Sequence, residues 1–260
     1  MSLETALAHW APAFMLVLAR CGGLVAFGPV LGSAALPPML KAALAAALAL
    51  AVTPAAGALR PPADGLLLAA AVAGELLVGA LLGLAVRALF AGVSVAGELV
   101  SLQMGIGLPA ALDPHGLTQA SSVGLLLDQV AILTFLAVDG HHTLLAALAR
   151  SLALVPPQQV GLGGGTLEAL VALTQAALLL AVRLAAPLSA AILASLVTLG
   201  LLNRMAPQVN VFSVSFVVTM GVGLLVLLAA LPVLVFGMQA GFGELPGLLT
   251  GLLAGMRRGL

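Results

Sequence analysis

Long apolar segments separated by short turns are the feature that most constrains what this chain can fold into. Six such segments cover residues 10–31, 42–59, 66–96, 120–138, 167–202 and 211–238. A helix that crosses a bilayer needs roughly 20 consecutive apolar residues, and each segment is close to that length or longer. Only 7% of the residues are charged and 62% are hydrophobic, whereas about a quarter of an ordinary soluble domain is charged. The sequence therefore predicts an all-α, polytopic membrane-type protein.

Two of these segments, 66–96 and 167–202, are longer than a simple span and contain Gly, Pro or a charge near the midpoint. They are tilted long helices or kinked helical hairpins, and the sequence leaves both possibilities open. A shorter helix is predicted over 142–154. We expect a single domain over residues 1–260, made of N-terminal helices (1–96), a central apolar loop (97–119) and C-terminal helical hairpins (120–260). The N-terminus, Met1-Ser2-Leu3-Glu4, has no basic region before the first apolar segment, so we expect no cleaved signal peptide.

The centre of the chain combines an apolar composition with residues that break helices. Gly105, Gly107 and Pro109 make a continuous helix costly, and Asp113-Pro114 indicates a turn. An apolar loop needs protein around it, or a narrow pore that it lines or blocks. We expect a pore-facing plug, with a loop buried against neighbouring subunits as the alternative. The candidate residues are Gln103, Met104, Gly105, Ile106, Gly107, Leu108, Pro109, Asp113 and Pro114.

A stripe at a spacing of four residues runs along the third segment and contains Glu75, Gly79, Gly83 and Arg87. Residues at this spacing share one face of a helix, and the two glycines would let another helix backbone approach closely. Glu75 and Arg87 are three turns apart, about 18 Å, so they cannot pair with each other. Each of them therefore needs a partner on another element.

Further charges, Arg20, Glu98, Asp128 and Arg183, lie within or beside the other apolar segments. Charges inside membrane segments are costly and often functional, so a proton or ion relay is one interpretation. Their sign and spacing form no continuous acidic chain. We therefore predict that they act as structural contacts between helices or subunits.

Other chemistries find little support in the sequence. Asp139 precedes Gly140, His141 and His142, but adjacent residues of a helix point about 100° apart, whereas a metal pair on one face needs a spacing of three or four. We expect Asp139 to cap the short helix and no metal to bind. We find no catalytic motif or cofactor fingerprint, and the zero net charge gives no nucleic-acid footprint. The sequence predicts neither an enzyme nor a cofactor.

Taken in order, several motifs together resemble the FliR/SctT family of type III export apparatus proteins over essentially the whole chain. The most specific are Gly140-His141-His142 and the run from Ala206 to Phe212, which contains Pro207, Gln208 and Asn210. Arg20, Pro37 with Lys41, Gly97-Glu98, Asp113-Pro114, Ser151 and Pro156 complete the pattern. The intact Pro-Gln-x-Asn-Val-Phe run favours the flagellar branch over the injectisome (SctT-type) branch. Family members often carry a Lys shortly after this run, where this chain has Thr219.

The resemblance implies a structural subunit that joins FliP and FliQ in an export gate of the flagellar basal body. FlhB, and FlhA beside or below the gate, would be further partners, and the cargo would be unfolded flagellar proteins. It also implies a multi-pass protein of the bacterial inner membrane. A different class, a secondary transporter or ion channel that works alone, would gather Glu75, Glu98 and Asp128 around one cavity. The segment lengths are unequal and show no inverted repeat, which disfavours that class.

Overall fold

Every regular element in the described part of the chain is a helix. The computed structural model describes residues 3–33, 36–57, 62, 64–106, 121–161, 163–205 and 211–257. The helices are α1 (Leu3–Phe27), α2 (Pro38–Val52), α3 (Gly65–Gln103), α4 (Ser122–Ala137), α5 (Gly140–Leu154), α6 (Gly164–Met205), α7 (Val211–Gly243) and α8 (Leu245–Arg257), and a short 3-10 helix covers Thr53–Ala56. The all-α prediction is confirmed.

The two long segments each form one continuous helix. Helix α3 has 39 residues and α6 has 42, with Pro187 inside α6. At 1.5 Å per residue, α3 is about 58 Å long, nearly twice the thickness of a hydrocarbon core. Asp64 starts α3, because its carboxylate accepts a hydrogen bond from the Leu66 amide at 3.0 Å and so satisfies a donor of the first turn.

The chain divides into two compact units. The first unit contains Met1–Ala88, Asp139–Gln175 and Glu244–Leu260. The second unit contains Leu89–Val138 and Ala176–Gly243. Helices α3 and α6 each contribute residues to both units.

Each unit has its own buried core. In the first unit, leucines of α1 and α3 such as Leu16, Leu24 and Leu82 are fully buried. In the second unit, Phe90, Phe135 and Phe242 form an aromatic cluster with ring centroids 5.2–5.5 Å apart. These distances and the tilted or edge-on ring angles are those that aromatic pairs prefer.

Candidate functional site

The first unit contains a buried ion pair between α1 and α3. The Arg20 guanidinium donates through Nε to Oε2 of Glu75 at 2.7 Å, and its Nη2 lies 2.6 Å from the same oxygen. Both side chains have no exposed surface. Glu75 was predicted to need a partner on another element, and that partner is Arg20, which lies 55 positions earlier in the sequence.

The other polar atoms of this pair are also matched. Arg20 donates through Nη1 to Oγ of Ser151 and through Nη2 to the carbonyl oxygen of Val155, both at 2.9 Å. The Gln158 amide donates to Oε1 of Glu75 at 3.1 Å. The group therefore ties α1 and α3 to the end of α5 and the loop that follows it, as a buried charge pair requires. Sequence reasoning named Ser151 only within the family pattern and did not connect it to Arg20.

Close packing of two backbones brings this pair together. A Cβ atom on Gly79 would collide with the carbonyl oxygen of Arg20, and one on Gly83 would lie 2.8 Å from the Gly28 amide nitrogen. Such distances leave no room for any side chain. The two glycines therefore permit the contact between α1 and α3 that positions Arg20 beside Glu75.

The remaining predicted charges do not join this group. Arg87 is exposed, and within the described residues it has no ion pair. Arg183 is also exposed, but unlike Arg87 it interacts with another residue. In the second unit, Asp128 accepts a hydrogen bond from Ser94 at 2.7 Å and Glu98 accepts one from the Ser121 amide at 2.8 Å.

The central stretch begins with a regular helix end. The amide of Gly105 donates to the Leu102 carbonyl at 3.1 Å and that of Ile106 to the Ser101 carbonyl at 3.2 Å, which is the Schellman pattern. Gly105 has φ 78°, a left-handed conformation that glycine adopts without strain. Gln103 is the last residue of α3. Candidate residues Gly107, Leu108, Pro109, Asp113 and Pro114 lie outside the described residues.

Met104 is fully buried within the second unit. A Cβ on Gly223 of α7 would lie 2.6–2.9 Å from Cγ, Cε and Sδ of Met104, so the thioether occupies a notch that the missing side chain of Gly223 leaves open. Gly223 was not predicted as a functional residue, and no sequence pattern links it to Met104.

The Gly-His-His motif lies at the start of α5 and corrects the expectation of an ordinary cap. Asp139 precedes the helix with φ 54°, and its side chain makes no capping hydrogen bond. N-cap residues usually have an extended backbone, but the backbone of Asp139 is left-handed. Its carboxylate lies 3.0 Å from Nδ1 of His142. The side chains of His141 and His142 were expected to point in different directions, but their ring centroids are only 4.1 Å apart.

Possible ligand atoms of Asp139, His141 and His142 lie within 4.8 Å of one another. They supply three ligands at most, and the side chains of Asp139 and His142 are 71% and 69% exposed, so the arrangement is not fixed as a zinc site requires. We interpret it as a hydrogen-bonded turn. Of the second family motif, Pro207, Gln208 and Asn210 lie outside the described residues.

The comparison with known proteins decides the family. A family profile described as "Bacterial export proteins, family 1" matches residues 11–245. The chain belongs to this family. It is 30% identical to the flagellar biosynthetic protein FliR of Escherichia coli (strain K12) over 250 residues, and 31% identical to that of Pectobacterium carotovorum over 248 residues, with 94% of each chain covered in both cases. The FliR of Bacillus subtilis is 29% identical over 163 residues, 62% of this chain and 63% of its own.

Membership of this family agrees with the helices. In the described residues, five helices are long and apolar enough to cross a membrane, and up to six if α4 and α5 count together as one span. The chain is thus a multi-pass protein of the flagellar export apparatus. Thr219, the residue that the resemblance set apart from the family pattern, is buried, and its hydroxyl donates to the Ser215 carbonyl at 2.8 Å.

Proposed function

We propose that this export family member is a non-enzymatic, structural subunit of the flagellar type III export gate. It assembles with FliP-type and FliQ-type subunits into the channel that passes unfolded flagellar proteins, and FlhB and FlhA associate with that gate. The location is the inner membrane at the flagellar basal body. The observation that carries the proposal is the match to FliR proteins along 94% of both chains.

The surface of the long helices supports a subunit enclosed by other apolar groups. In an 18-residue apolar stretch of each of the spans Gly164–Leu202 and Ser215–Arg257, only 33% and 22% of the residues, respectively, are buried within the chain itself. Large apolar side chains such as Val182, Leu225 and Phe236 are more than 60% exposed. Apolar surface of this extent needs lipid or neighbouring helices to cover it.

Co-purification tests the assembly. The tagged full-length chain is expressed with the FliP-type and FliQ-type subunits from the same genome and extracted in mild detergent. We expect a stable complex of all three, whereas an identically tagged, unrelated polytopic protein should recover neither partner. A chain that purifies by itself and transports a solute as a monomer would contradict the proposal and favour a stand-alone transporter or channel.

We also propose that residues 103–116 form a plug or constriction that faces the channel. An apolar constriction excludes water and ions by dewetting, and glycines provide the backbone freedom to yield when a polypeptide arrives. The support is the apolar, Gly- and Pro-containing sequence directly after the Schellman end of α3. Because Met104 is buried beside Gly223, it would have to leave that notch to line a channel with its flexible thioether.

Ion leak through the assembled complex tests this role. Deletion of residues 106–111 should raise the leak of ions across membranes that contain the complex. A length-matched replacement of the same residues by Gly and Ser separates apolar character from length, and it should also leak if dewetting closes the channel. An unchanged leak in the deletion variant would refute the plug.

A further inference from the structure

A groove lies between α5 and α8 in the first unit. Its volume is about 240 Å³, and its wall includes Leu154 of α5 and Leu249 and Leu253 of α8. The two leucines of α8 are buried, so close packing holds this wall in place. Pockets for drug-sized molecules have volumes of about 300–1,000 Å³. The groove therefore has room for a small polar group with some adjoining hydrocarbon, but not for a helix.

Two side chains of α5 line this groove with hydrogen-bond donors that are not in use. Arg150 is the one charged residue among the described residues of the lining, and it is exposed. Within the described part of the chain, neither its guanidinium nor the hydroxyl of Thr143 has a hydrogen-bond or ion-pair partner. Thr250 of α8 differs, because its hydroxyl donates to the Pro246 carbonyl at 2.6 Å. The groove thus offers a cation and a free hydroxyl to a ligand.

The spacing of these two donors indicates a ligand with several acceptor oxygens. Thr143 and Arg150 are close to two turns of α5 apart, which is about 10 Å along the helix axis. A single carboxylate on a neighbouring helix would accept from one donor and leave the other unmatched. A phosphodiester headgroup has acceptor oxygens both on its phosphate and on the groups attached to it. A guanidinium binds phosphate through two parallel hydrogen bonds.

Arg150 also lies near the end of a candidate membrane span. Helices α4 and α5 together are long and apolar enough for one span, and α5 ends at Leu154, about 6 Å beyond Arg150. An arginine near a helix end extends its charge to the level of the lipid headgroups and keeps its methylene groups against apolar surface. The anion that a membrane supplies at that level is the phosphate of a phospholipid, whose hydrocarbon would cover the leucine wall.

We propose that this groove binds the headgroup of an anionic phospholipid, with Arg150 paired to the phosphate and Thr143 bonded to a second headgroup oxygen. A net negative charge is required, because the ammonium group of a zwitterionic headgroup would lie beside the guanidinium and repel it. A free phosphate ion would leave the leucine wall uncovered. The inference concerns this chain alone and does not depend on its place in the export gate.

Lipid titration of the purified full-length chain tests the site. The chain is held in a neutral detergent and short-chain phosphatidylglycerol is added, while thermal unfolding gives the midpoint and native mass spectrometry counts the retained lipids. A ligand that binds the folded state raises the midpoint, so we expect a saturable rise with one lipid retained. Arg150→Met should raise the Kd by about tenfold or more, the change expected when hydrogen bonds to a charged group are lost. Arg150→Lys keeps the charge without the paired bonds, so its Kd should lie between those of the parent and Arg150→Met.

Three more variants separate the hydroxyl, the space and the overall charge. Thr143→Val removes the hydroxyl with little change of shape and should raise the Kd by about fivefold. Ala146 also lines the groove, and Ala146→Leu keeps both donors and a strong helix former but fills the space, so it should weaken binding at least as much as Thr143→Val. Arg87→Met is the matched control, since it removes an exposed arginine of the first unit that does not line the groove. Its Kd should equal that of the parent.

The results decide between this site and its alternatives. If phosphatidylcholine or inorganic phosphate at the same concentration raises the midpoint as much, the groove does not select an anionic lipid and the proposal is refuted. Equal losses of affinity in Arg150→Met and Arg87→Met would indicate attraction by overall charge and would refute it as well. If Arg150→Met does not fold, Thr143→Val and Ala146→Leu decide, and an unchanged Kd in both refutes the site. If Arg150→Met lowers the recovery of FliP-type or FliQ-type subunits but leaves lipid binding unchanged, an acidic residue of a partner subunit occupies the groove instead.

Discussion

Removal of the Glu75 carboxylate is the perturbation with the largest expected effect on stability. Arg20 is fully buried, so Glu75→Leu leaves its guanidinium charge without a counter-ion. Breaking a buried ion pair from one side costs about 3–5 kcal/mol in free energy of unfolding. Arg20→Met should cost a similar amount, because Glu75 would then keep, among the described residues, only the hydrogen bond from the Gln158 amide.

The double variant, Arg20→Met with Glu75→Leu, gives the coupling free energy between the two charges. With both charges replaced by apolar side chains, the main loss is the hydrogen bond to the carbonyl of Val155, a residue that is 1% exposed. An orphaned buried acceptor costs about 1–3 kcal/mol. The Ser151 hydroxyl still has the Leu148 carbonyl as its acceptor at 2.7 Å. The single variants would sum to about 6–10 kcal/mol, so the coupling between Arg20 and Glu75 should be at least about 3 kcal/mol.

Equilibrium unfolding of the purified full-length chain in mixed micelles measures these values for the parent, both single variants and the double variant. Arg87→Met is the control, since Arg87 lies on the same stripe of α3 but is exposed and has no ion pair among the described residues. It should change the free energy of unfolding by no more than about 0.5 kcal/mol. Additive single variants, with coupling below about 0.5 kcal/mol, would refute the reasoning.

Two glycine substitutions test how the neighbouring atoms respond to an added methyl group. Gly79→Ala drives a Cβ into the backbone carbonyl of Arg20, which cannot rotate away, so unfolding in the same micelles should shift by more than about 2 kcal/mol. At Gly223→Ala the three atoms nearest to the added methyl all belong to the side chain of Met104, which has three rotatable bonds, so the loss should stay near or below about 1 kcal/mol. An equal cost for the two variants would contradict the distinction between backbone and side-chain contacts.

The sequence predicts the helices well where apolar periodicity is uninterrupted, and it is less accurate at their ends. Helix α3 continues to Gln103, beyond the predicted segment end at residue 96, because Gly105 rather than Gly97 terminates it. Gly97 lies in the helix where α4 packs against it, so the same residue type serves packing at one position and termination at the other. Only the backbone conformation distinguishes them.

Helix α8 was not predicted as a separate element. Its first turn contains Pro246, and Gly243 ends the helix before it. A proline in a first turn is compatible with a helix because the missing amide would have no partner there. The Gly-Glu-Leu-Pro run could have indicated a helix end followed by a new start, but the apolar residues on both sides obscured it.

The sequence could not predict which residues contact the buried charges Arg20 and Glu75, and the reason differs from that for the helix ends. Helix geometry excludes a pair between Glu75 and Arg87 on one helix, but it contains no information about which other helix approaches. That choice depends on the glycines at 79 and 83, which admit α1, and on the loop after α5, which delivers the Val155 carbonyl and the Gln158 amide. The sequence separations involved reach 135 positions.

The completed geometry also bears on whether this charge pair could serve as a relay. A relay needs a group that accepts and then releases a proton, with an open lone pair at each step. An arginine side chain has no acceptor and does not release its proton in proteins. Oε2 of Glu75 faces Arg20 and Oε1 receives the Gln158 amide, so each carboxylate oxygen is already engaged by a donor within the first unit. A proton bound to Glu75 would neutralise the carboxylate and leave the buried Arg20 charge without its counter-ion, at a cost of about 3–5 kcal/mol. The same contacts that make the pair a strong tie between helices therefore make it a poor carrier of protons.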